Sequence, residues 1–342
     1  MKNPFFYSLK YFFAFLICST FALGGCKNNK NQVIEELEIP AEPTPLIWAK
    51  RADLPTLAGR HHPVTFVLNG FGYAGLGSSG VDTYRDFFRY DPKTNNWKKL
   101  NNFAGGNRTL SYGVTYNEKA YTGFGEDGVR FFKDFWEYDP VSDSWKELKS
   151  CNCDARIHPA MVRIKDKIYV GMGTNLNNQN LNDWWEYDIT KNSWIQKASL
   201  PGLTRHHPFY FAVNDKAYVG FGHGSEKLND KIIYKDFYQY SPETDSWKKL
   251  KDFPGSGRVA GTQFYYNGSG YILSGQGEDH QNFVTGEFWK YDPTNDSWSA
   301  LPPHQGSARW APGSFMIGKK LYFVGGQSNN AYEKDLSVFL FE

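Results

Sequence analysis

Residues 133–148, KDFWEYDPVSDSWKEL, return in close variants along the chain: DFFRYDPKTNNWKKL from Asp86, DWWEYDITKNSWIQK from Asp183, DFYQYSPETDSWKKL from Asp236 and EFWKYDPTNDSWSAL from Glu287. In all five copies a Trp follows a Tyr by seven residues, at Tyr90 and Trp97, Tyr138 and Trp145, Tyr187 and Trp194, Tyr240 and Trp247, Tyr291 and Trp298. A recurrence this regular restricts the chain to an architecture in which one supersecondary unit stacks on copies of itself. The 342 residues then make one closed body, although length alone would allow two or three domains.

Between the copies the grammar is constant. An Arg follows each Trp after a short loop, at Arg60, Arg108, Arg156, Arg205, Arg258 and Arg309, twelve residues after Trp48 and eleven after the other five Trp. Next comes an apolar strand such as residues 208–213, a turn at 214–216, and a second strand ending in glycines, residues 217–222. A variable loop leads to the Asp-aromatic-aromatic strand, and an Asp-Pro type turn leads to the Trp strand. Four short antiparallel strands per unit of about fifty residues is the pattern of a β-propeller blade. The abundance of Gly, 33 residues, and of aromatics, 18%, suits an all-β class rich in turns.

The two ends fix the number of blades. Residues 309–342 supply three strands and stop before a Trp strand, whereas residues 45–50 hold a Trp strand with no blade before it. Joining them completes a sixth blade, closes the ring and covers two strand edges. The chain resembles the kelch family in these units, by the glycine doublet closing the second strand, the Tyr, and the Trp beyond it. The doublet is literal at Gly325-Gly326 and spaced at Gly123-Phe124-Gly125, Gly171-Met172-Gly173 and Gly220-Phe221-Gly222. The expected fold is a six-bladed kelch-type β-propeller over residues 46–342, its ring closed by the N-terminal strand.

Lys2 and Lys10 precede an apolar run over residues 11–23, and Leu23-Gly24-Gly25-Cys26 follows. The tetrad resembles the lipobox of bacterial lipoproteins, which implies a signal peptide over 1–25, lipidation at Cys26 and a flexible tether over 26–45; an ordinary signal peptide or an uncleaved anchor is the alternative. Lys27 after the cysteine points to the outer membrane, with the lipid as the sole membrane contact. Without the leader 36 basic residues face 36 acidic ones, a balance that offers no bulk attraction to nucleic acid. A monomer is expected.

By strand topology the six arginines and the loops after the glycines share one face near the axis. A ring of guanidinium groups there would take an anionic ligand; the alternative is that the arginines bond carbonyls and acids of their own blades. Arg60-His61-His62-Pro63 recurs as Arg205-His206-His207-Pro208, and Gly125-Glu126-Asp127 recurs as Gly277-Glu278-Asp279, each pair three blades apart. Blades three and six share less, Arg156-Ile157-His158-Pro159 against Arg309-Trp310-Ala311-Pro312. His61, His206, Glu126 and Glu278 are thus candidates for acid-base work, and the six arginines, His62, His207, Asp127, Asp279 and Trp310 for ligand binding. Imidazoles facing across a pore are also able to hold a metal, but packing or hydrogen-bonded histidines are the simpler alternative, and no metal or cofactor is expected. Cys151-Asn152-Cys153 reads as a loop staple, either a labile disulfide or two thiols, its spacing matching no standard zinc module.

Two functions follow. The first is an envelope-tethered binding module for a glycan or an envelope protein with acidic groups. The second is an enzyme: the chain is similar to the N-acetylneuraminate epimerases among kelch propellers in blade count, secretion and arginine content, which implies mutarotation of sialic acid or a like acidic sugar. A copper oxidase similar to galactose oxidase is disfavoured, since no cysteine lies where that family's Tyr crosslink forms.

Overall fold

The computed structural model describes residues 48–224, 232–277, 286–329 and 331–341. They form six four-stranded antiparallel sheets arranged as blades. Blade 1 runs Val64–Leu68, Phe71–Gly75, Phe87–Asp91, Asn96–Lys99, and the same order repeats through blade 5, which ends at Ser297–Leu301. The inner strands Val64–Leu68, Tyr112–Tyr116, Ala160–Ile164, Phe209–Val213, Thr262–Tyr266 and Gly313–Ile317 touch in that cyclic order, the last meeting the first. Blade 6 takes three strands from the C-terminal end and its outermost strand from Trp48–Arg51, with Trp48 opposite Phe339 and Arg51 opposite Leu336. The closure expected from the unmatched ends is what forms.

Alternation along the inner strands sorts side chains between blade contacts and the axis. In blade 1 Val64, Phe66 and Leu68 are buried, and Thr65 and Val67 face a channel of about 370 Å³ that all six inner strands line. Apolar clusters lie between adjacent blades: Phe66 and Phe87 of blade 1 meet Tyr138 and Trp145 of blade 2, with Phe87 and Trp145 edge to face at 5.4 Å. Burying each such ring stabilises the fold by roughly 1.5–3 kcal/mol.

The repeated Tyr and Trp also carry a polar clasp at the outer edge. Each Tyr hydroxyl donates to the Asn or Asp five residues on: Asn95, Asp143, Asn192, Asp245 and Asp296, at 2.7–2.9 Å. The same side chains accept backbone N–H groups of Ala52, Asn101, Lys149, Ala198 and Lys251, where the chain leaves the preceding blade. All five acceptors sit in the left-handed region, φ 47° to 51°, which Asn and Asp tolerate best after Gly. The Gly-x-Gly pattern has two causes. A Cβ at Gly123 would collide with the Asp134 carbonyl, and Gly125 has φ 81°.

Candidate functional site

The arginines do not ring an open funnel. All six are between 0% and 4% exposed and turn into their own blades. Arg60, Arg108, Arg156, Arg205 and Arg309 each grip an acid from the start of the third strand, Asp86, Asp134, Asp183, Asp236 and Asp335, through both terminal nitrogens. Arg258 meets Glu287 through Nε and Nη2 instead, the longer acid approaching from the side. Every Nη1 also donates to the carbonyl sixteen residues on, at 2.7–3.2 Å. The guanidinium forks are thus filled by the blade's own acid and carbonyl, the second of the two sequence alternatives.

What lies at the axis is the residue two positions after each arginine: His62, Leu110, His158, His207, Ala260 and Ala311. All six are left-handed, φ 48° to 57°. Their backbones form a hoop in which His62 N–H donates to Ala311 O, His158 to Leu110, His207 to His158 and Ala311 to Ala260, at 2.6–3.3 Å. A conformation that costs a non-glycine residue energy persists because the hoop over-determines it. Three imidazoles therefore converge at one end of the channel. His62 Nε2 lies 3.3 Å from His207 Nε2, and the His158 and His207 ring centroids are 3.3 Å apart. His62, His158 and His207 each offer a nitrogen within 4.8 Å of the others, the one such cluster among the described residues that meets the geometry for a metal.

A wider ring surrounds the hoop on the loop face. The residue after each arginine bridges the residue eighteen positions beyond that arginine, pairing His61 with Ser78, Thr109 with Glu126, Ile157 with Thr174, His206 with His223, Val259 with Gln276 and Trp310 with Gln327. Trp310 contacts the rings of His61, His62 and His207, and Tyr332 lies 5.4 Å from His61. His206 Nδ1 is 2.9 Å from Asn180 Oδ1, which also accepts from Thr174. Three polar groups of this ring, Thr109 Oγ1, Gln276 Oε1 and Trp310 Nε1, are buried with no hydrogen-bond partner among the described residues.

His61, His206, Glu126 and Trp310 thus stand on one ring, and His62 and His207 on the hoop beneath it. Burial lifts the Glu126 carboxyl above the usual carboxylate range, with help from the charge of Asp127. Burial pulls His61 down to about 4. Asp127 is used locally, accepting the N–H groups of Val129 and Arg130 and pairing with the Arg130 side chain at 2.7 Å. Glu278, Asp279 and Cys26 lie outside the described residues. Cys151 and Cys153 are joined as a disulfide, the first of the two states considered for that pair.

Sequence reading missed His158 as a partner of His62 and His207, and missed His223, Asn180, Gln276, Gln327 and Tyr332 altogether. The signal for His158 was present in the shared Arg-x-His-Pro spacing. For the others the constant offset of eighteen residues from each arginine finds three of the five, His223, Gln276 and Gln327, but only with the strand pairing known.

Residues 71–328 match the family described as the Attractin/LZTR1 β-propeller. An 88-residue segment is 28% identical to the N-acetylneuraminate epimerases of Shigella flexneri serotype 5b (strain 8401) and Escherichia coli (strain K12), covering 25% of this chain and 24% of each relative. The match spans about a quarter of the length of those curated relatives. Among solved structures, that of YjhT superposes with a TM-score of 0.70 at 16% identity, over 84% of this chain and 96% of that one, a likeness of fold.

Proposed function

Because the chain belongs to the Attractin/LZTR1 β-propeller family, a kelch-type scaffold that leaves function to its variable positions, we propose that it is a binding module whose loop-face ring holds a glycan. The observation that carries this reading is the set of buried groups on that ring with no partner among the described residues, Thr109 Oγ1, Gln276 Oε1 and Trp310 Nε1. Buried polar groups are seldom left unpaired, so a hydroxylated ligand is a natural complement. An indole flanked by imidazoles adds a face on which sugar C–H groups stack. Tethering through Cys26 to the outer membrane would present this face at the envelope. With the arginines filled, recognition of acidic groups falls to amide and imidazole N–H donors. A glycan array followed by calorimetry tests the reading. Trp310→Ala is expected to weaken binding of the best glycan at least about tenfold; absence of any binder, or affinity unchanged in Trp310→Ala, removes the proposal.

A second reading is favoured by Glu126 and by the name of the curated relatives: opening and reclosing a sialic-acid-like ring. A carboxyl held above its usual range stays protonated at a higher pH than an exposed one and is thereby a better general acid. Anomeric exchange followed by proton NMR should then be accelerated, should fall as pH rises through the raised Glu126 value, and should drop about 100-fold or more in Glu126→Gln. Exchange at the uncatalysed rate eliminates this reading and leaves glycan binding intact.

A further inference from the structure

The hoop at the axis carries an assignment independent of the glycan reading. We propose that His62, His158 and His207 form a three-imidazole site for a divalent transition metal, with Zn²⁺ the ion whose geometry they match.

In a tetrahedral site with Zn–N bonds of about 2.0–2.1 Å, two ligand nitrogens lie about 3.3–3.4 Å apart. His62 Nε2 and His207 Nε2 are 3.3 Å apart. That is long for a hydrogen bond between rings and right for two donors on one cation. The His158 and His207 centroids, at 3.3 Å, are closer than aromatic rings come by stacking, for which about 4.5 Å is the near limit. The three residues are 4%, 8% and 4% exposed, so the cluster is shielded from water.

The supports are built as a metal site requires. Each histidine is fixed by the left-handed backbone of the hoop, which sets the direction of its Cβ. His61 Nδ1 lies 2.7 Å from His62 Nδ1. If His62 Nδ1–H donates there, its tautomer is fixed with the Nε2 lone pair toward His207, the outer support that ligating imidazoles commonly have. Three neutral ligands leave the ion its full charge and a fourth position to fill. His62 lines the 370 Å³ channel, which gives water or an anionic ligand a route to that position.

The test is a titration of the full chain, stripped with chelator, with Zn²⁺ and with Co²⁺ as a visible-absorption probe. About one equivalent should bind, and the cobalt bands should show a four-coordinate nitrogen site. His158→Ala and His207→Ala should each weaken binding at least about 100-fold, and the positioning change His61→Ala about 10- to 100-fold. Less than about a tenth of an equivalent bound by the unmodified chain overturns the assignment without reference to any variant. So does one-equivalent binding that survives in folded His158→Ala and His207→Ala. Glycan binding by the stripped protein, measured in parallel, separates this outcome from that of the ring above.

Discussion

Arg205→Ala is expected to lower the free energy of unfolding by about 3–5 kcal/mol, measured by urea denaturation at pH 7. Arg205 is fully buried and binds Asp236 through two bonds of 2.6 and 2.8 Å. It also donates to the carbonyls of Phe221 and Leu203 and lies 4.8 Å from the Tyr234 ring. Truncation strands a mostly buried carboxylate and two carbonyls together, the costly way to break a buried pair. Arg205→Lys should rescue little, since an ammonium cannot serve both carboxylate oxygens and a carbonyl in one plane. Arg130→Ala is the control: that side chain is 72% exposed although it also pairs with an Asp, and its loss should stay within about 1 kcal/mol. A loss under about 1 kcal/mol for Arg205→Ala would mean that the six buried pairs are incidental to the fold.

Removing residues 1–51 should cost about 5 kcal/mol and lower the melting temperature by about 10 °C or more, with much of the protein aggregating. The four residues Trp48–Arg51 pair along Leu336–Leu340, a strand buried along most of its length. Trp48 packs on Phe339 at 5.4 Å and on His304 at 4.5 Å. Their loss leaves apolar side chains and an open row of backbone groups on one edge, a template for another chain. A peptide of residues 46–54 added in trans should restore part of the stability by supplying the strand again. Scanning calorimetry and light scattering on the truncated chain decide the matter; a monomer with unchanged melting would show that the ring holds without its terminal strand.

The blades were legible because their determinants are local. Tyr and Trp seven residues apart, a turn between them and alternating apolar residues specify a hairpin with no knowledge of the rest of the chain, and the unmatched ends specify closure. The clasp through Asn95 and its equivalents sat inside the same stretch, yet its partner is a backbone N–H of the previous blade, more than forty residues away. Sequence left the two arginine alternatives open for the same reason. Asp86, Asp134 and Asp335 follow their arginines by 26 residues, but Asp236 follows Arg205 by 31, because the intervening loops differ in length. Those acids open the repeated strand motif, and nothing local to it marks them as the arginines' partners. The histidines were noticed as a repeated motif across opposite blades. Their meeting point depended on a left-handed backbone that nothing in Arg-x-His-Pro announces, since the preference of His for that region is modest.

The hoop separates conformation from chemistry at the centre of the molecule. Its six members share one backbone geometry, but their side chains are three imidazoles, one isobutyl group and two methyl groups. The trace therefore works as a set of equivalent seats around an axis, fixed by main-chain bonds that are indifferent to the occupant. Exchange of occupants is the cheapest way for such a ring to acquire or lose an activity. Leu110, Ala260 and Ala311 already hold the backbone that a further donor would need, so the hoop is open to re-specification one side chain at a time while the six blades stay as they are.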